Sequence, residues 1–184
     1  MTGPEELLRG GALAILPTDT VYGIGCAAGL PGACARLYEV KERPLEQPTA
    51  IVFGSLAALR VALGAGIGNG AELLPGPVTL IVPNPGGRFP YLCGSTPDRI
   101  GVRVPELAPE VAELADAVGG LAMASANRRG QAAPGRLSEV PGELRTAAAL
   151  VVDGGTLPGV ASTVVDVTGP RPVVIRPGPG QPPG

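Results

Sequence analysis

Apolar residues arrive in short runs along this chain. Ala12–Leu16, Ala50–Phe53, Val78–Val82, Ile100–Val104, Leu121–Ala124, Ala149–Val152, Thr163–Val167 and Val173–Ile175 each have the length of a strand, bounded by Gly, Pro or Asp. Most are continuous rather than alternating, which predicts strands buried on both faces. Between several of them the apolar period becomes helical. Leu37 and Val40 share a face in Ala33–Val40, and Leu56, Leu59 and Leu63 form a stripe behind Ser55 as N-cap. Val111, Leu114, Ala115 and Val118 form another stripe over Pro109–Val118. Ser138–Ala147, with Pro141 in its first turn, and a short Thr2–Leu8 complete the helices. Thr168-Gly169-Pro170-Arg171-Pro172 reads as the turn of a hairpin between the last two runs, which makes the sheet mixed.

The fold class that follows is α/β, with a mixed sheet flanked by helices. No linker separates two cores and no repeat is visible, so one domain is expected over 1–177. Pro177–Gly184 contains only Pro, Gly and Gln, which predicts a flexible tail over 178–184.

Composition narrows the chemistry. The 184 residues are 45% hydrophobic but 3% aromatic, with no Trp, so the core must be Leu, Val, Ile and Ala. A net charge of −2 gives no general pull toward nucleic acid. Three cysteines, Cys26, Cys34 and Cys93, contain no C-x-x-C pair, which argues against a disulfide framework and a zinc site. A reducing, cytoplasmic setting fits. The absence of histidine excludes Ser-His-Asp and Cys-His nucleophiles, imidazole ligation and imidazole acid–base catalysis. A metal would need oxygen ligands, which points to Mg²⁺ carried by a phosphate substrate. No secretory signal is visible at Met1-Thr2-Gly3-Pro4-Glu5-Glu6, and no apolar stretch is long enough to span a bilayer.

Thirteen arginines accompany a single lysine, Lys41, in Lys41-Glu42-Arg43-Pro44. A compact ammonium among so many guanidinium forks suits a phosphate, and equally suits a helix C-terminus. Pro17-Thr18-Asp19-Thr20-Val21-Tyr22-Gly23-Ile24-Gly25 follows the first run and reads either as a ligand-facing loop or as a turn whose Asp19 and Thr20 satisfy local donors. Ser125-Ala126-Asn127 follows the Leu121 run and carries small polar groups that let a backbone approach a phosphate or base. Arg103, inside Ile100–Val104, either points to solvent or pairs with something buried, a substrate carboxylate being a natural partner. Arg176 ends the last run.

In order, the chain presents a P-T-D-T-V-Y-G loop, a K-x-R-P segment, a G-V-R-V-P strand, an S-x-N turn, an S-T-V-V-D segment and an R-P-G ending. This series resembles the YrdC family, the threonylcarbamoyl-AMP synthases, from about Gly11 to Gly178. The resemblance implies a twisted open α/β sheet around a large, positively lined cavity. It implies an activity that joins L-threonine, bicarbonate and ATP into threonylcarbamoyl-AMP and pyrophosphate, with Mg²⁺ accompanying ATP. A separate transferase then passes the group to adenosine 37 of tRNAs reading ANN codons. By position, Thr20, Arg103 and Ser162 would hold threonine, Arg103 by its carboxylate. Lys41, Arg43, Gln47, Ser125, Asn127, Gly135 and Arg176 would surround the nucleotide, with Lys41 and Arg43 acting on the phosphates. Two positions depart from the family pattern: Val52 stands where relatives often carry histidine, and Arg99 where many have threonine. Val52 leaves open a paralogue acting on another carbamoyl-type substrate. A further reading is an RNA-binding module with Arg128, Arg129 and Arg136 as a basic edge, and weak tRNA binding is compatible with either. Net acidity and few aromatic side chains for stacking weigh against that module.

Overall fold

The computed structural model describes residues 2–64, 67 and 70–181. Among the described residues, nine strands form one mixed sheet: β1 (Leu13–Pro17), β2 (Tyr22–Ala27), β3 (Ile51–Val52), β4 (Val78–Pro83), β5 (Arg99–Arg103), β6 (Leu121–Ser125), β7 (Ala148–Val151), β8 (Thr163–Asp166) and β9 (Val173–Arg176). Their order is β7-β1-β2-β6-β3-β5-β4-β8-β9. The β1/β7, β3/β5 and β4/β8 pairs are parallel and the other five antiparallel, including the expected β8/β9 hairpin.

Five helices among the described residues flank the sheet: α1 (Pro4–Arg9), α2 (Pro31–Val40), α3 (Leu56–Leu63), α4 (Pro109–Ala117) and α5 (Gly142–Ala147). Ser55 caps α3, its hydroxyl accepting from Ala58 N at 3.1 Å. Alternation along β1 divides the core between the two faces. Leu13 and Ile15 join Leu37 of α2, Leu59 of α3 and Leu144 of α5. Ala14 and Leu16 join Leu8 of α1 and Val111 and Ala115 of α4 on the other face.

The structure corrects the sequence reading at four places. The stretch read as a loop from Pro17 to Gly25 turns back within a few residues and becomes β2, which pairs with β1 and β6. Its glycines lie there because a Cβ on Gly25 would sit 2.6 Å from Ala122 O, and one on Gly23 would sit 2.5 Å from Met123 Sδ. The segment from Ser138 is not one helix. A 3₁₀ turn covers Leu137–Glu139, and Val140, forced out of helical conformation by Pro141, is extended at φ −69, ψ 127 before α5 starts. The edge strands are not buried on both faces: β7 alternates, and β9 is exposed throughout. Gly180, inside the expected tail, is buried against Pro77 and Val78, and its carbonyl accepts from Thr163 Oγ1 at 2.7 Å. Residues 182–184 of that tail lie outside the described residues.

Candidate functional site

Helices α1 and α4 cover one end of a sheet face. The other end, over β3, β5, β4 and β8, is open and forms a cavity of about 280 Å³. Strand alternation supplies its wall. On β5, Val102 enters the core, Ile100 belongs to the core and also borders the cavity, and Arg99, Gly101 and Arg103 line the cavity. Thr79 and Ile81 of β4, Ala50 and Val52 around β3, and Ser162 and Val164 at β8 complete that floor. Val52 and Met123 mark the border, since both also belong to the core under α1 and α4.

Four arginines line this cavity, Arg43, Arg99, Arg103 and Arg176, and its described wall contains no carboxylate residue. In a chain of net charge −2, that is a strong local bias toward an anion. Two of the four have acidic partners behind them. Arg103, only 7% exposed, gives Nη2 to Asp19 Oδ1 and, at 2.8 Å, to Thr20 Oγ1. Arg99 Nη1 lies 3.1 Å from Asp166 Oδ2. Arg43 and Arg176 donate instead to main-chain carbonyls. Arg43 Nη2 reaches Pro48 O, with its guanidinium 6.0 Å from the Tyr38 ring centre. Arg176 gives Nη2 (2.8 Å) and Nε (3.2 Å) to Ser162 O. Burial draws the pKa values of Arg43, Arg103 and Arg176 below arginine's usual value, yet a guanidinium stays charged in proteins.

Among the described residues, the buried side-chain nitrogens and oxygens without a partner are Arg43 Nε, Thr49 Oγ1, Arg99 Nε and Arg103 Nε. All four residues line this cavity. Unpaired buried polar atoms are rare because each costs about 1–3 kcal/mol. Their concentration on one wall is the pattern of a site built for a polar ligand.

The remaining expected residues divide into two groups. Ser125 and Ser162 line the cavity with the arginines. Ser125 Oγ donates to Asn127 Oδ1 at 2.6 Å, and Asn127 Nδ2 to Gln131 O at 2.7 Å, so the S-x-N turn is closed on itself. Ser162 Oγ lies 2.8 Å from Thr79 Oγ1. Lys41 stands behind that turn, where Nζ donates to the carbonyls of Ser125 (2.8 Å) and Asn127. Burial, then the nearby Arg43 charge, lowers its ammonium to about 8. Glu42 between the two cations has φ 48, an uncommon left-handed backbone that sends Lys41 to the end of β6 and Arg43 to the cavity wall. Thr20 is fully buried beneath Arg103, engaged with it and with Thr18. Gln47 is exposed, its carbonyl held by Tyr38 Oη at 2.9 Å. Gly135 is buried against Leu157 and Gly159, with its N–H on Glu139 Oε2 at 2.8 Å. Of the expected basic edge, Arg128 is tied to Glu143 at 2.5 Å.

Sequence reasoning missed Thr49, Thr79 and Thr96 as cavity residues. For Thr79 the signal was present, since it is the only polar residue in the Val78–Val82 run. Asp19 lies in the turn where it was read, but its role as counterion of Arg103 on β5 was missed. Among the described residues no group of three or more His, Cys, Asp or Glu gathers to hold a metal. No described helix is long and apolar enough to cross a membrane.

The comparisons with known proteins agree with this fold. The Sua5/YciO/YrdC family model, described as telomere recombination, matches residues 6–178. A threonylcarbamoyl-AMP synthase of Pyrococcus abyssi is 36% identical over 177 residues, covering 93% of this chain and 52% of the relative. The chain thus spans about half the length of that curated relative. The crystal structure of P. abyssi Sua5 complexed with L-threonine superposes with a TM-score of 0.83 at 32% identity, covering 95% of this chain and 52% of the other. Escherichia coli YciO superposes at 0.82 with 26% identity, covering 96% and 88%. A profile match over nearly the whole sequence and a shared mixed sheet lead to one conclusion: the chain belongs to the Sua5/YciO/YrdC family.

Proposed function

We propose that this protein is a threonylcarbamoyl-AMP synthase, an AMP-transferring enzyme that joins L-threonine, bicarbonate and ATP. The observation that carries this reading is the cavity wall of four arginines and no carboxylate, on which the unpartnered buried polar atoms collect. The names of the relatives and the L-threonine in the P. abyssi structure support the choice of substrates.

The amine of threonine takes up bicarbonate to give a carbamate and water. A carbamate oxygen then attacks the α-phosphorus of ATP, and pyrophosphate leaves. This reaction needs no histidine and no covalent enzyme intermediate. It needs alignment and neutralised charge on a near-in-line phosphoryl transition state. Arg103 holds the threonine carboxylate, with Ser162 beside it and Thr20 supporting the guanidinium. Arg43 and Arg176, which have no acidic partner, face the triphosphate, and Lys41 adds its charge from behind the Ser125–Asn127 turn. The cavity is at the lower edge of the size range of small-molecule sites. The nucleotide therefore extends past its rim, toward Asn127, Gln47 and Gly135. The wall offers no carboxylate cage, so Mg²⁺ would come with ATP as part of the substrate and would offset phosphate charge alongside Arg43 and Arg176. Unstable in water, the carbamate gains from a cavity that limits hydration.

The product is an activated acyl group, which a transferase acting on tRNA adenosine 37 would consume. Three free, buried thiols suit a reducing cytoplasm. The test is ATP consumption with each of the twenty amino acids, with and without bicarbonate. Pyrophosphate release that requires both threonine and bicarbonate is expected; release indifferent to either overturns the proposal.

A further inference from the structure

The Arg103 guanidinium is held from behind at a single nitrogen. Nη2 donates both to Asp19 Oδ1 and, at 2.8 Å, to Thr20 Oγ1. The Asp19 carboxylate is fixed in turn, because its Oδ2 accepts from Glu106 N at 3.2 Å. Thr20 is fixed as well: Thr18 Oγ1 lies 3.1 Å from Thr20 Oγ1, accepts from Thr20 N at 3.2 Å, and donates to Val21 O at 2.7 Å. Asp19 comes from the β1–β2 turn, Arg103 from β5, and Glu106 from the segment after β5. The brace therefore joins two distant parts of the chain.

Two nitrogens of Arg103, carrying three N–H groups, remain. Its Nε is buried without a partner, and among the described residues no acceptor engages Nη1. Asp19 is the one carboxylate in salt-bridge range of this guanidinium among the described residues. A buried guanidinium lacking a counterion is strongly disfavoured, and an unbraced one would swing among rotamers. A ligand carboxylate meeting a braced guanidinium loses less freedom on binding.

We propose that Asp19 is a positioning residue: it braces Arg103 through Nη2 and thereby orients the unengaged N–H groups of the guanidinium to recognise the carboxylate of the amino-acid substrate. This rests on the reading of Arg103 given under Proposed function. The consequence is specific. Asp19 acts on carboxylate recognition and not on the nucleotide, since its partners are Arg103 and the Glu106 amide rather than Arg43 or Arg176.

The test is calorimetric binding of L-threonine and of L-threoninamide, which lacks the carboxylate charge, to the full chain with MgATP present. Wild type is expected to favour threonine at least tenfold. Asp19→Asn, which keeps shape and loses charge, is expected to weaken threonine about tenfold and leave threoninamide and MgATP binding unchanged. Asp19→Glu keeps the charge that a buried guanidinium needs, so it stays folded if the Asn variant does not. It moves the carboxylate by one methylene and is expected to cut the threonine preference several-fold. Preference retained at the wild-type level in either folded variant overturns the positioning role. So does equal weakening of both ligands, which marks a general structural effect. Absence of any preference in wild type overturns the carboxylate role of Arg103 itself, a separate failure.

Discussion

At the scale of single residues, Lys41 and Arg43 show how position changes the meaning of a positive charge. Among the described residues, Arg43 lines the cavity, has no acidic partner and keeps one buried N–H free. Arg43→Ala should lower turnover by about 2–5 kcal/mol in activation free energy, the range for removing one member of a desolvated charge contact. Steady-state pyrophosphate release measures it, and near-normal release would refute the assignment. Lys41 is the chain's only lysine, and its rarity was the sequence signal. Its location adds what rarity could not supply. The ammonium also ties the Ser125 and Asn127 carbonyls together. With a pKa lowered from 10.5 to about 8, folded and unfolded chains both hold its proton below pH 8. Between about 8 and 10.5 the unfolded chain holds more protons, so Lys41 makes stability rise with pH across that window. Nucleotide binding runs the other way, because phosphates favour the charged form: affinity should fall as pH passes through about 8. Lys41→Met should remove both slopes, as read by urea unfolding and calorimetric titration at a series of pH values.

Among the elements, what the sequence disclosed depended on where the cause of each element lies. Strands β4, β5 and β6 and helices α3 and α4 were legible because their causes are local: an apolar run, a stripe, a serine cap. Ser55→Ala should accordingly cost about 1 kcal/mol of stability in urea unfolding. Strand β2 was illegible because its cause is tertiary. Gly23 and Gly25 look like loop punctuation, but they are small because Met123 and the Ala122 carbonyl approach them from β6. Gly25→Ala should therefore destabilise by about 1–3 kcal/mol, the range for overpacking a tight core. Since β6 leads directly into Ser125, the same change should also weaken nucleotide binding, whereas Ser55→Ala should not. Equal binding by the two variants would separate β2 packing from the site.

For the whole molecule, the topology gathers cations that the sequence keeps apart. Arg43 follows α2, Arg99 and Arg103 share β5, and Arg176 ends the last strand, yet all four reach one open stretch of the sheet. A chain of net charge −2 thereby carries a cationic cavity. The ordered motifs made Arg43, Arg103, Ser125, Ser162 and Arg176 readable as a group. They left Asp19 unread as a counterion, because the turn between β1 and β2 meets β5 only after the sheet is assembled. The most direct test of a converged anion site is calorimetric titration of MgATP into wild type, Arg43→Ala, Arg176→Ala and the double variant. Measurable heat in wild type, at least tenfold weaker binding in each single variant and none detectable in the double variant are predicted. Unaltered binding in the double variant, or no heat in wild type, would contradict the account.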